Sequence, residues 1–323
     1  MMRDEPRSIA ASVRQRLMNV ARAHGEPFQS MLTRYAMERM LYRLSRSAHS
    51  DRYLLKGALL FQVWSDQPYR ATKDIDLLGF GAPSVQKQAD LVRSLCHWAV
   101  PMDGMEFLAE TVSASEIRED SIYGGVRVRL TAGLGSARIP MQIDVGFGDA
   151  ITPPATVADL PVILDFPAPR LRVYPPEATI AEKLHALVVL DIGNSRMKDF
   201  FDLHTLARQF PFSAERLGAA VRATFDVRGT PLPQERPTGM TRAFSEDASK
   251  KAQWSAFLRR QHLTAEDLTL VDAISFISGF LWPVIGAARD GGPLAGSWSA
   301  GGPWLGLGDE AGPEPSDGGK ATP

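Results

Sequence analysis

Two carboxylates occupy alternate positions of one short apolar segment, and they restrict how this chain can fold. Thr72-Lys73-Asp74-Ile75-Asp76-Leu77-Leu78 alternates polar and apolar side chains, which predicts a β-strand with Asp74 and Asp76 on one face. Neighbouring carboxylates repel each other and are costly on a partly buried strand without a cation. Such a pair suits Mg²⁺ bound together with a triphosphate. The competing interpretation is a solvated strand end.

A second strand candidate carries a third carboxylate. In Gln142-Ile143-Asp144-Val145-Gly146-Phe147 the apolar side chains share one face and Asp144 lies on the other. If this strand pairs beside the first, Asp144 joins Asp74 and Asp76 in one metal site. Asp149, just beyond it, is interpreted as a turn residue.

A small-residue turn precedes the Asp74 strand. Lys56-Gly57-Ala58 follows the short strand candidate Tyr53-Leu54-Leu55, and backbone N–H groups of such a turn can approach phosphate oxygens. Lys56 can supply charge there. Arg70 and Lys73 flank the Asp74 strand and could also hold phosphates, or could be solvated strand-end charges.

The C-terminal half contains a second charged cluster. Lys183 lies near the edge of the apolar stripe of Thr179-Ile180-Ala181-Glu182-Lys183-Leu184-His185-Ala186-Leu187. Asp199 and Asp202 are three residues apart and share one helix face. Like charges there need a cation opposite, which Lys183, Arg196 or Lys198 could supply. The alternative is a surface ion-pair network between two helices.

Composition fits a soluble protein of about two domains. The 323 residues are 44% hydrophobic and 23% charged, with a formal net charge of -1. The single cysteine, Cys96, excludes an intrachain disulfide. We found no apolar run of roughly 18 residues and no secretory signal, and therefore expect a cytoplasmic protein without membrane contact.

Periodicity divides the chain into four parts. Residues 1–48 suit N-terminal helices, residues 49–173 mix strands with helices, and residues 174–289 are mainly helical. Residues 290–323 are rich in Gly and Pro and predict a disordered tail.

The ordered set of motifs from Tyr53 to Arg260 resembles the AbiEii-type nucleotidyltransferase toxins. The motifs are K-G-A-L-L, R-A-T-K-D-I-D-L, Q-I-D-V-G-F-G-D, T-I-A-E-K-L-H-A-L, R-M-K-D-F-F-D-L and R-G-T-P-L-P. The resemblance implies an α/β (α+β) fold: a DNA polymerase β-like nucleotidyltransferase domain with a mixed β-sheet, plus a helical C-terminal domain.

The resemblance also implies roles for residues, here named by their positions in this chain. Asp74, Asp76 and Asp144 would bind Mg²⁺ (or Mn²⁺), and Lys183, Asp199 and Asp202 would complete the catalytic set. Lys56 and Gly57 would begin the phosphate loop. Where the family often has a second Gly or a Ser/Thr, this chain has Ala58-Leu59, which removes one hydroxyl contact to a phosphate or metal. Arg70, Lys73, Arg196 and Lys198 are further candidates for nucleotide contacts.

The implied activity is that of a toxin of toxin–antitoxin or phage-defence operons. It would transfer a nucleoside monophosphate from a nucleoside triphosphate to RNA, namely the 3′ end of tRNA, and so stop translation. A winged-helix antitoxin would be its partner. The alternatives are nucleotide transfer to protein side chains, a nucleotide-binding module without turnover, and a small-molecule transferase.

Overall fold

The structure, a computed structural model, describes residues 5–65, 72–117, 124–261, 268–291 and 295–307. The chain divides into two units: residues 1–179 with 226–230, and residues 180–225 with 231–323. The mixed α/β class expected from the sequence is confirmed. The four-part division at residues 48, 173 and 289 stays a prediction.

The first unit is built on a seven-stranded mixed sheet. Its strands are β1 (Tyr53–Lys56), β2 (Asp74–Gly79), β3 (Met105–Ile117), β4 (Gly125–Leu134), β5 (Ala137–Phe147), β6 (Thr156–Asp159) and β7 (Arg170–Val173). Its helices are α1 (Glu5–His24), α2 (Phe28–Arg46), α3 (Leu60–Trp64) and α4 (Val85–Cys96).

The strand order places the two carboxylate-bearing strands side by side. The order is β3-β4-β5-β2-β1-β7-β6, so that β2 lies between β5 and β1 at the centre of the sheet. Strands β2 and β5 run parallel, whereas β1 and β2 run antiparallel. Consecutive hairpins from β3 to β5 form one wing of the sheet.

One face of the central strands is apolar and covered by helices. Ile75, Leu77, Ile143 and Val145 are buried in the same core cluster as residues of α1, α2 and α4. Burial of such side chains stabilises the fold by roughly 1.5–3 kcal/mol each. Because side chains alternate along a strand, the polar residues of β2 and β5 are directed to the opposite face of the sheet. The sheet thus fixes the direction of the carboxylates.

The second unit is mainly helical. Its elements are α5 (Pro176–Leu190, which begins in the first unit), α6 (Met197–Gln209), β8 (Phe212–Ser213), α7 (Ala214–Val227, which ends in the first unit), α8 (Arg242–Glu246), α9 (Ala248–Arg260), α10 (Leu270–Asp290), β9 (Ser297–Trp298) and β10 (Trp304–Leu305).

Several helix ends are defined by local contacts. Helix α4 ends at Cys96, and burial raises the pKa of that thiol to about 11. Asp247 separates α8 from α9 and caps α9 by accepting a hydrogen bond from the Lys250 N–H. Helix α10 begins at Leu270, and residues 262–267 lie outside the described part.

Helix α10 has an apolar composition that the sequence analysis did not single out. By length and hydropathy it could cross a membrane, and it is the one such helix among the described residues. Half of its apolar window is buried inside the protein. Within the second unit it packs against α6 and α8, as a core helix does.

The expectation of a disordered tail from 290 to 323 is wrong for residues 295–307. Strands β9 and β10 pair with each other, and β9 pairs with β8. The Trp298 side chain is 4% exposed, and its indole N–H donates to the Ala207 carbonyl. The Trp304 ring stacks on Phe280. Two large aromatic side chains thus bury enough area to order a segment that is poor in other apolar residues. Residues 308–323 lie outside the described part.

His204 makes a pH-dependent contribution to stability. Its ring lies 5.1 Å from that of Phe276, and burial, reinforced by Arg208, lowers its pKa to about 4. The unfolded chain takes up a proton near pH 6.5, so stability is complete above that pH and decreases as the pH falls towards 4. We expect His204→Gln to flatten this decrease. In NMR titrations of the histidine rings, the wild type should show a signal with a midpoint near pH 4, and the variant should lack it. A midpoint near 6.5 would contradict the burial.

Candidate active site

A row of charged residues crosses four adjacent strands of the sheet. Asp76 of β2 is the sheet partner of Lys56 on β1 and of Asp144 on β5. Asp144 is in turn the partner of Arg127 on β4. Asp74 lies two residues from Asp76 on the same face, so the three predicted carboxylates lie on neighbouring positions of one sheet face. Asp74, Asp76 and Asp144 are all half-buried.

Asp144 is held by an arginine that the sequence analysis did not include. The Nε and Nη2 atoms of Arg127 donate to the two carboxylate oxygens at 2.9 and 2.8 Å. Gln142 donates to Oδ2 of the same carboxylate at 3.2 Å. Two parallel hydrogen bonds from a guanidinium fix both the position and the orientation of a carboxylate.

Gly57 provides the space that the Asp76 side chain occupies. Its φ is +75°, and an added Cβ would collide with Oδ2 of Asp76 and lie 2.7 Å from its Cγ. Glycine adopts this backbone conformation without strain, and only glycine leaves room for the carboxylate. The turn Gly57–Leu59 is a single 3₁₀ turn that leads into α3.

Lys56 is bound to Asp149, which corrects the interpretation of Asp149 as a simple turn residue. Lys56 Nζ donates to Asp149 Oδ2 at 2.7 Å, and Arg228 Nη2 donates to Oδ1 at 2.9 Å. Burial alone would raise the pKa of Asp149, but the charges of Lys56 and Arg228 outweigh it and lower the pKa to about 2. This carboxylate therefore remains ionised at neutral pH.

The remaining predicted phosphate contacts differ in exposure. Lys73, at the start of β2, is exposed, and Ala58 is buried in the 3₁₀ turn. Arg70 lies outside the described residues. Lys73 is thus accessible to a ligand, whereas the Ala58 side chain is part of the core.

A metal site of three or more side chains does not form among the residues that the structure describes. The donor set nevertheless fits a divalent cation, because Mg²⁺ is commonly bound by one or two carboxylates together with substrate phosphates. Asp74 and Asp76 supply such a pair on one face of β2. Arg127 binds both oxygens of the third carboxylate, Asp144.

In the second unit, Lys183 is the cation opposite the paired carboxylates of α6. Its ammonium lies 2.7 Å from Asp199 Oδ1 and 2.8 Å from Asp202 Oδ2. Burial by itself favours the neutral amine, but the two carboxylates raise the pKa of Lys183 above its usual value. Lys183, Asp199 and Asp202 therefore form a buried cluster between α5 and α6. The alternative interpretation, a surface ion-pair network between two helices, does not hold.

Arg196 and Lys198 do not take part in that cluster. Both side chains are exposed. The Arg196 backbone N–H donates to the Asn194 side chain, and Lys250 Nζ donates to the Asn194 carbonyl. These contacts hold the loop at the start of α6, the helix that carries Asp199 and Asp202.

We expect Lys183→Gln to destabilise the second unit by about 3 kcal/mol, because it leaves two buried carboxylates without a cation. Chemical or thermal unfolding measures this. Lys198→Gln, the same change at an exposed position nearby, is the control. Equal free energies of unfolding for the two variants would contradict the buried cluster. Loss of activity in a Lys183 variant must therefore be interpreted together with its stability.

Four residues that shape the first unit's site were not assigned to it from the sequence. They are Arg127, Asp149, Tyr174 and Arg228, of which Asp149 and Arg228 lie inside quoted motifs. The Lys56 ammonium lies 5.3 Å from the centre of the buried Tyr174 ring. An acidic residue directly after a strand and a glycine was the available signal for Asp149.

Comparison with known proteins identifies the family. A family model described as nucleotidyl transferase AbiEii toxin, type IV toxin–antitoxin system, matches residues 39–277. A search of curated proteins gives no match. Among solved structures, JHP933 from Helicobacter pylori is similar with 15% identity and a TM-score of 0.45, covering 81% of this chain and 93% of that one. A candidate nucleotidyltransferase from H. pylori has 14% identity and a TM-score of 0.43, covering 81% and 96%.

The family match extends over more than half of the chain and includes every catalytic residue expected from the motifs. Membership implies a nucleoside triphosphate as substrate and an antitoxin as partner. The chain therefore belongs to the AbiEii family of nucleotidyltransferase toxins.

Proposed function

We propose that this toxin transfers a nucleoside monophosphate from a nucleoside triphosphate to RNA, namely to the 3′ end of tRNA, and so blocks translation. The observation that carries the proposal is the pairing of Asp76 with Asp144 on parallel strands, with Asp74 on the same face. We further propose that it acts in the cytoplasm in phage defence, and that a winged-helix protein is its antitoxin.

We propose that Asp74 and Asp76 hold Mg²⁺ or Mn²⁺ together with oxygens of the triphosphate. When bound, the ion would neutralise phosphate charge and polarise the α-phosphate. Gly57 supports this role because it allows the Asp76 carboxylate to lie directly over the turn. Asp144 remains the proposed third ligand. Both of its oxygens accept bonds from Arg127, which hold the carboxylate in place, and each carboxylate oxygen has two lone pairs, so these bonds are compatible with a metal ligand at Oδ1.

In the proposed reaction the acceptor hydroxyl oxygen bonds to the α-phosphorus, and the bond from that phosphorus to the β-bridging oxygen breaks. The hydroxyl proton leaves to water, and pyrophosphate departs. Lys56, Lys73 and Arg70 are the proposed contacts of the phosphate oxygens. Lys56 would act at a fixed position, because Asp149 and the Tyr174 ring restrict its side chain.

We keep Lys183, Asp199 and Asp202 as proposed catalytic residues. The two carboxylates orient the Lys183 ammonium. This supports a role in which the oriented positive charge interacts with the nucleotide. The exposed Arg196 and Lys198 remain proposed contacts for the nucleotide.

Incubation of the protein with each α-labelled triphosphate, Mg²⁺ and either total RNA or total protein tests the proposal. We expect label in RNA, and sequencing of the RNA 3′ ends should show added nucleotides on tRNA. Label on protein would instead support nucleotide transfer to side chains. Mg²⁺-dependent triphosphate binding without release of pyrophosphate would support a binding module, which the missing hydroxyl at Ala58 favours.

A further inference from the structure

Three charged residues of the first unit form a cluster, and the resemblance implies a role for only one of them, Lys56. We call Lys56, Asp149 and Arg228 the bridged cation pair, because each oxygen of the Asp149 carboxylate binds a different cation. The carboxylate side chain is 9% exposed, and the lysine and arginine side chains are 18% and 14% exposed. The two cations are thus largely enclosed but still reach solvent.

The two cations of the cluster share one carboxylate, and each keeps part of its side chain exposed to solvent. Ionised donors form their strongest hydrogen bonds with anionic oxygens. The exposed sides of Lys56 and Arg228 are therefore suited to an anion that approaches from solvent.

Its position places the cluster beside the proposed metal-binding carboxylates. Lys56 is the sheet partner of Asp76 and immediately precedes Gly57, over which the Asp76 carboxylate lies. The Tyr174 hydroxyl donates to the Ala150 carbonyl at 2.6 Å, next to Asp149. The same tyrosine thus restrains both Lys56 and the loop that carries Asp149.

We propose that Arg228 is a second phosphate-binding residue of this site, and that Asp149 is the positioning residue that holds Lys56 and Arg228 together for a polyphosphate anion. This inference rests on the proposed function and specifies its triphosphate site. A guanidinium and an ammonium bound to one carboxylate present two donors at a fixed spacing, which suits the successive phosphates of a triphosphate. Arg228 follows α7 in the chain, far from the other phosphate contacts in sequence.

Binding of inorganic tripolyphosphate, measured by calorimetry on the full chain, tests the proposal without turnover or a base. We expect Arg228→Gln to weaken binding by about tenfold or more, as for loss of a hydrogen bond to a charged group. Arg228→Lys should retain most of the affinity. Arg170→Gln removes an exposed arginine paired with Asp159 in the same unit, and this control should bind as the wild type does.

Asp149→Asn separates positioning from simple charge. The change makes the site more positive, so charge alone predicts tighter binding of tripolyphosphate, whereas loss of positioning predicts weaker binding. We expect weaker binding, together with a higher KM for the triphosphate and a smaller change in kcat. Tighter binding would overturn the positioning role of Asp149, and wild-type affinity of Arg228→Gln would overturn the phosphate contact.

These results are independent of whether the protein transfers nucleotides. If the wild type labels RNA but Arg228→Gln binds tripolyphosphate normally, the proposed function stands and this inference fails. If no transfer occurs but binding depends on Arg228, the anion site stands and the proposed function fails. Thermal unfolding with and without tripolyphosphate shows whether each variant is folded, since a ligand-dependent shift requires the native state.

Discussion

Replacement of Asp76 by asparagine is expected to lower nucleotide transfer by about a thousandfold or more. Asp76 occupies the centre of the charged row, with Lys56 on one side and Asp144 on the other. The amide has nearly the same size as the carboxylate but lacks its charge, so a divalent cation and its triphosphate lose a main ligand. Transfer of α-labelled nucleotide to RNA measures the effect on kcat.

The matched control for this change is Asp90→Asn. Asp90 is exposed on α4 in the same unit and pairs with Arg93 on the surface, where such a pair contributes only about 0–1 kcal/mol. The control should retain wild-type transfer, and both variants should unfold at temperatures close to that of the wild type. If Asp76→Asn kept near-normal transfer while folded, the assignment of Asp76 to the metal site would be wrong.

Strand periodicity was sufficient to locate the acidic residues. Alternation along 72–78 and 142–147 fixed which side chains share a face, because the side-chain period of a strand is two residues. Helical spacing likewise placed Asp199 and Asp202 on one face of α6. Of the three cations that could oppose them, only the structure identifies Lys183.

Contacts between residues that are far apart in sequence cannot be predicted from local periodicity. Arg228 and Asp149 are separated by 79 positions, and no local pattern records that the chain returns to the sheet after α7. The Arg127–Asp144 pair depends on the register of the hairpin that joins β4 and β5. Register is set by the turn and by the whole apolar face, so a one-residue shift would have separated the two side chains.

Average composition gives a wrong prediction where a few large side chains decide whether a segment is ordered. The segment 295–307 is mostly small and polar, which predicts disorder when averaged over its length. Trp298 and Trp304 nevertheless pack against Phe280 of α10, and both indole N–H groups donate to helix carbonyls. An average over many residues does not show that one tryptophan is buried and a second is half-buried.

Gly57→Ala is expected to reduce nucleotide transfer almost as strongly as Asp76→Asn, by about a thousandfold, although it removes no charged group. The added methyl would occupy the position of the Asp76 carboxylate, so that side chain must turn away from the sheet face that it shares with Asp74. The backbone at φ +75° adds strain of roughly 1–2 kcal/mol for a residue with a Cβ. Steady-state transfer and binding of Mg²⁺ with triphosphate measure the effect.

Gly25→Ala is the control that separates the steric clash with Asp76 from the backbone strain of a residue with positive φ. Gly25 has a similar φ of +66°, but an added Cβ there would meet no atom within 4 Å. Both variants should therefore lose comparable stability from backbone strain, whereas only Gly57→Ala should lose activity and divalent-ion binding. Equal activities of the two folded variants would mean that the Asp76 carboxylate can act from another position. The requirement for glycine at residue 57 would then be conformational, and the close packing of Asp76 on the turn would have no part in catalysis.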